Sequence, residues 1–115
     1  MTTYITQGRY TREAIEGMVK KPEDRGEAVA QLARAAGLKL LHYFVTYGEY
    51  DFLVIMQGGK GQTEAETMGA LITAAATGGV TDLKTTVGIT SKEAVRAMRA
   101  ARKLQKGFRA AGQSQ

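Results

Sequence analysis

An α+β fold, with a four-stranded antiparallel sheet and helices on one of its faces, is what this sequence predicts, on three observations. Four runs rich in β-branched, aromatic and aliphatic residues read as strands. Stretches of helical periodicity separate the first from the second and the third from the fourth. The middle pair is broken only by Gly48-Glu49-Tyr50-Asp51. The order strand, helix, strand, strand, helix, strand is the ferredoxin-like βαββαβ arrangement.

Each element has its own warrant. Residues 3–8, TYITQG, have first-strand composition, and Thr11 then stands as N-cap to a helix carrying Ala14, Ile15 and Met18 at helical spacing. Gly17 weakens that helix and Pro22 breaks or restarts it. Glu23 and Asp24 suit a helix N-terminus, Ala28, Val29, Leu32, Ala33 and Ala36 form one stripe, and Gly37 fits a left-handed end. "LKLLHYFVTY" follows as a strand, with Leu41, Tyr43, Val45 and Tyr47 on one side and Leu40, His42, Phe44 and Thr46 on the other. "FLVIMQ" is the third strand, ended by "GGKG". Residues 63–75 read as a helix in which Thr63 and Glu66 have capping-box spacing. "TDLKTTVGIT" is the fourth strand, with Leu83, Thr85, Val87 and Ile89 on one face.

Both faces of the two middle strands are apolar, whereas helices are expected on only one side of the sheet. A second copy laid sheet to sheet would bury the bare face, so a homodimer or higher homo-oligomer is expected.

Composition sets outer limits. At 115 residues, with 43% apolar and 23% charged residues, the chain is of ordinary globular type. It contains no cysteine, which removes disulfides, thiol catalysis and thiolate metal sites. No apolar run reaches the roughly 18 residues a membrane helix needs, and the N-terminus carries no signal-peptide pattern, so the expected setting is cytoplasmic. The net charge of +5 is uneven: residues 1–91 carry nine basic against ten acidic residues, and residues 92–115 carry seven basic residues against Glu93 alone. Any anionic partner therefore belongs to the tail. A division into an α+β domain over residues 1–90 and a basic C-terminal helix over residues 91–115 follows.

"YITQGRYT", a helical region containing Pro22, "GLKLLHYFVTYGEYDFLVIM" and "GGVTDLKTTVGIT" together resemble the GYD domain family. Its defining stretch is matched here by Gly48, Tyr50 and Asp51. The resemblance spans about residues 1 to 90; it implies a dimeric α+β barrel and no established reaction. "YGEYDFLV" with "GGVTDLKTTV" is more loosely similar to the effector-binding domain of leucine-responsive, feast-or-famine regulators. The helix-turn-helix that precedes such domains is not seen, which leaves a stand-alone sensor or partner module.

Two readings of the central motif stay open. Gly48 can take a positive φ, Asp51 can accept backbone N–H groups in the turn, and Tyr50 can cover an edge with its hydroxyl wet. Alternatively Tyr50 and Asp51 face a pocket, and Tyr4, Tyr43, Tyr47 and Tyr50 suit an aromatic, quinone-like or amino-acid-like ligand. Arg9 is a candidate carboxylate anchor. His42, the sole histidine, reads as a core or interface residue or as a proton carrier or haem ligand, with Asp51 as its acid–base counterpart. One histidine without cysteine argues against a zinc or multi-histidine metal site in one chain. "GGKG" lacks the context of a phosphate loop.

From Ser91, a plausible cap, the tail places Ala94, Ala97, Met98, Ala101, Leu104 and Phe108 on one side. Arg96, Arg99, Arg102, Lys103, Lys106 and Arg109 cluster opposite, and Gly107 should fray the end. This helix docks on its own body or a dimer partner, binds an anionic partner such as nucleic acid or an acidic protein, or lies on a membrane surface. The functional expectation is a small-ligand- or partner-binding oligomeric module without a resident cofactor. The alternative is a small monooxygenase- or isomerase-like barrel enzyme, cofactor-free or haem-dependent, using His42 with Tyr50 and Asp51.

Overall fold

Four strands and four helices follow one another in the computed structural model, which describes residues 1–113. They are β1 (Thr3–Tyr10), α1 (Arg12–Lys20), α2 (Arg25–Ala35), β2 (Leu38–Val45), β3 (Phe52–Gly58), α3 (Glu64–Ala76), β4 (Val80–Gly88) and α4 (Ser91–Leu104). The sheet order is β2-β3-β1-β4 with every neighbouring pair antiparallel, the expected ferredoxin-like arrangement. α1, α2 and α3 share one face of the sheet, since residues of all three line a common cavity with the inner residues of β1 and β3.

The local signals explain most boundaries. Thr11 caps α1, its side chain accepting the Ala14 N–H, and Asp24 caps α2 by accepting from Gly26. Pro22 lies in the link between them rather than in a first helical turn. Gly37 ends the α2 region at φ +79°. Two caps differ from expectation. Thr63 precedes α3 but makes no side-chain cap bond; its hydroxyl bonds the Glu66 carboxylate instead. Thr90, not Ser91, caps α4, in a complete capping box with Glu93.

The inner face of the sheet makes the core. Tyr4 and Thr6 of β1, Phe52, Val54 and Met56 of β3, and Leu38 of β2 are buried there with Ala33 of α2. Gly8 leaves room for its partner in the register: a Cβ at Gly8 would stand 2.6 Å from the Phe52 ring and 2.7 Å from Leu83. β1 continues past Gly8 to Tyr10, which pairs with Val80, so Tyr4, Thr6, Gly8 and Tyr10 share this face.

Regular alternation along the second strand is interrupted. Leu40 pairs with Met56 but His42 with Ile55, so Leu41 is an extra, bulged residue. Leu40 and Tyr43 therefore both face inward, whereas His42 and Phe44 face the opposite side. The expected grouping of Leu40 with His42 fails because one inserted residue flips every side chain after it. A matching irregularity in β4 lies between Gln7–Lys84 and Arg9–Thr81, where Asp82 takes φ +53°.

α4 does not dock on its own body. Val95, Met98 and Leu104 remain exposed along it, Met98 by 66%. The radius of gyration is 18.4 Å, against about 13 Å for a compact chain of this length, and the longest dimension is 65 Å. The helix stands off as an arm. It stops at Leu104, so Lys106 and Arg109 lie beyond it, and the last two tail residues, Ser114 and Gln115, lie outside the described residues.

Candidate functional site

The Gly-Glu-Tyr-Asp turn is a clasp between β1 and β3. Gly48 takes φ +141° in open space, which a side chain rarely permits. The Thr46 N–H donates to the Asp51 carbonyl at 2.8 Å and the Thr46 hydroxyl to the Tyr50 carbonyl at 2.8 Å, closing the turn. Asp51 then reaches sideways: its N–H donates to the Gly8 carbonyl, and its carboxylate accepts the Tyr10 N–H at 3.0 Å. Arg9 completes the clasp, donating from Nε to the Glu49 carbonyl at 2.8 Å with its guanidinium 5.8 Å from the centre of the Tyr50 ring. These bonds account for all three motif residues by packing and hydrogen bonding.

What the clasp holds in place is Tyr10, and Tyr10 faces a cavity. About 590 Å³ lies between the inner sheet face and α1–α3. Its origin is compositional: the helices present Ala14, Gly17, Ala28, Ala70 and Ala74, side chains too short to meet the sheet. On the opposite wall the Phe52 ring lies 5.1 Å from Tyr10 and stacks on Tyr43 at 6.2 Å and 4°. The Tyr10 and Tyr43 hydroxyls are hydrogen-bonded to each other. Burial, then the bond to Tyr10 and its charge, raises the Tyr43 phenol far above its ordinary range, while nearby Arg25 pulls it down. Tyr43 is thus a neutral donor at any physiological pH. Arg25 also lines the cavity and pairs with Glu23 at 2.8 Å in a partly exposed position.

The candidate residues divide among separate places. Of the tyrosines, Tyr43 lines the cavity, Tyr4 is buried with its hydroxyl donating to Glu64 at 2.7 Å, Tyr50 belongs to the clasp, and Tyr47 is fully exposed. His42 lies across the sheet from the cavity, its ring stacked on Phe44 at 5.8 Å and 10°. His42 pairs with Ile55, four residues along β3 from Asp51, a distance of about 13 Å at strand rise. His42, Tyr50 and Asp51 do not meet within one chain. The cavity accordingly offers no imidazole to a haem iron. Among the described residues no group of three His, Cys, Asp or Glu is placed to hold a metal ion. Tyr10 and Arg25 escaped the sequence reading. Tyr10 was legible as the next inward position after Tyr4, Thr6 and Gly8, but nothing distinguishes Arg25 from any first-turn arginine.

The outer face of the sheet is a second surface. Ile5 of β1 and Leu53 and Ile55 of β3 occupy its middle, and Phe44 and His42 extend this patch onto the edge strand β2. Thr3, Gln7, Gln57, Lys84 and Thr86 surround them. None of the described helices crosses a membrane by length and apolarity. Arg96, Arg99, Arg102, Lys103, Lys106 and Arg109 are all exposed on or beyond α4.

The model of the family described as GYD domain matches residues 4–98. A protein of Thermus thermophilus, the glutamine synthetase and cystathionine beta-lyase binding protein, is 29% identical over 68 residues, 59% of this chain and 72% of that one. Among solved structures, hypothetical protein PHS023 of Pyrococcus horikoshii is 17% identical at a TM-score of 0.45, over 79% of this chain and 93% of its own. FFRP-DM1 is 20% identical at a TM-score of 0.43, over 77% of this chain and all of its own.

Proposed function

Because the chain belongs to the GYD domain family, a membership that brings no reaction with it, we propose that it is a non-catalytic protein-binding module assembled as a homodimer through the outer face of its sheet. The single observation that carries this reading is the composition of that face: Ile5, Leu53 and Ile55 form an apolar centre that runs out to Phe44 on the edge strand β2, with Phe44 still 52% exposed. Fully covering an exposed side chain of this size contributes roughly 1.5–3 kcal/mol, and the half-buried Ile5, Leu53 and Ile55 contribute less than that each. An antiparallel sheet tolerates water on one face when that face alternates to polar residues, whereas here Ile5, Leu53 and Ile55 stand together in the middle of it. Sheet-to-sheet packing of two copies closes the barrel.

The relative from Thermus thermophilus is named for binding two enzymes, which supports protein binding as the class of activity without assigning those enzymes here. A cytoplasmic setting belongs to the same proposal. Catalysis by His42 with Tyr50 and Asp51 is not favoured, since His42 lies along the strands away from the clasp that holds the other two, and Asp51 is occupied by the Tyr10 N–H.

Sedimentation velocity tests the assembly. Wild-type protein at micromolar concentration should sediment as a dimer. Ile55→Lys, which places a charge on the outer face and leaves the core side of β3 untouched, should sediment as a monomer with an unchanged far-ultraviolet circular dichroism spectrum. A monomeric wild type at that concentration would end the proposal.

A further inference from the structure

We propose that the cavity between the inner sheet face and α1–α3 is a binding site for a small aromatic monocarboxylate. It lies on the side of the sheet away from the assembly face, so this inference and the preceding one stand or fall separately.

The volume comes first. About 590 Å³ falls within the ordinary range of small-molecule sites, roughly 300–1,000 Å³, and far exceeds the voids a close-packed core keeps. Short side chains on the helices create the space, while three rings on the sheet furnish an aromatic wall. The Tyr43 and Phe52 planes are parallel to within 4°, and Tyr10 is tilted against Phe52 by 40°. A planar ring offered to that wall finds offset-stacked or edge-on partners.

Polarity decides the charge of the ligand. Two phenols own two O–H protons, and their mutual bond uses one. Among the described residues neither hydroxyl has another protein partner, so the second proton is available to an acceptor entering from the cavity. Arg25 adds a guanidinium whose five N–H donors are not exhausted by one contact to Glu23. The lining thus offers a neutral phenol donor and two cationic side chains, Arg25 and Lys21, together with apolar wall; Glu23 is the one acidic residue in it, and it is already held by Arg25. A carboxylate on an aromatic ring satisfies all of these features together. An amine would leave Arg25 repelling it, and an uncharged ring would leave the phenol proton unmet.

Isothermal titration of the full chain with 2-naphthoate as probe tests the site. Saturable binding of one probe per chain is expected, weakened about tenfold in Tyr43→Phe and in Arg25→Gln. The uncharged 2-naphthalenemethanol should bind more weakly than naphthoate and be indifferent to Arg25→Gln. Amide shift changes on the wild-type protein should gather at Ala28, Tyr43, Phe52 and Ala74 rather than at Phe44 and Ile55, a readout that needs no variant to fold. Absence of saturation at millimolar naphthoate, equal affinity in Arg25→Gln, tighter binding of octanoate, or shifts confined to the outer face would each overturn the proposal.

Discussion

The Asp51 carboxylate accepts the backbone N–H of Tyr10 at 3.0 Å, forty-one residues away in the chain. With the Asp51 N–H donating to Gly8, this one residue ties the β2–β3 turn to the end of β1. Removing the carboxylate leaves a part-buried N–H without its acceptor. Asp51→Ala should therefore lose about 1–2 kcal/mol of stability, read from urea unfolding, while Asp51→Asn, which keeps an acceptor oxygen, should lose less. Equal stability of Asp51→Ala and the wild type would mean that the clasp closes nothing.

Gly8→Ala carries a different cost. The new methyl would meet the Phe52 ring at 2.6 Å and Leu83 at 2.7 Å, and the Phe52 ring has Tyr10 and Tyr43 beside it. Overpacking of about 1–3 kcal/mol is expected. Denaturant midpoints would measure it, and displaced aromatic resonances of Tyr10 and Tyr43 would locate it.

Acid should loosen the start of α4. The chain-terminal ammonium of Met1, the Thr90 N–H and the Thr90 hydroxyl all donate to Glu93 and hold its pKa at about 2, below the usual 4.5. A carboxyl depressed in the folded state adds its full stabilisation above its unfolded pKa and loses it as the pH falls through the folded value. Amide protection around Thr90–Ala94 should thus decline between pH 4.5 and about 2. Carboxyl carbon NMR should place the Glu93 midpoint near the lower end, and Glu93→Gln should abolish the dependence. A midpoint at 4.5 in the wild type would contradict the Met1 ammonium contact first and the Thr90 contacts with it.

Strand order, helix positions and the Thr11 and Gly37 boundaries were readable from residue type and spacing, because each depends on neighbours in the sequence. The bulge at Leu41 was not. A slipped strand betrays itself by polar residues on the wrong side, and β2 is apolar on both faces, so either register looks equally good. Regular alternation consequently groups His42 with Leu40, which faces the other side of the sheet. The GYD motif was legible as a turn, but the partners of Asp51 lie on β1, where no local pattern points to them. The apolar stripe of α4 was visible too, yet spacing says only that a stripe exists and never what it touches.

A hollow framed by alanine and glycine can change its capacity without any change in the sheet. Replacing Ala70 or Ala74 with a leucine would remove several methylene volumes from the space before Tyr43, whereas trimming Leu71 or Met18 on the same helical wall would enlarge it. Chains sharing this scaffold can therefore range from solid interiors to roomy ones through a handful of helix positions, with strand pairing, clasp and outer surface left as they are.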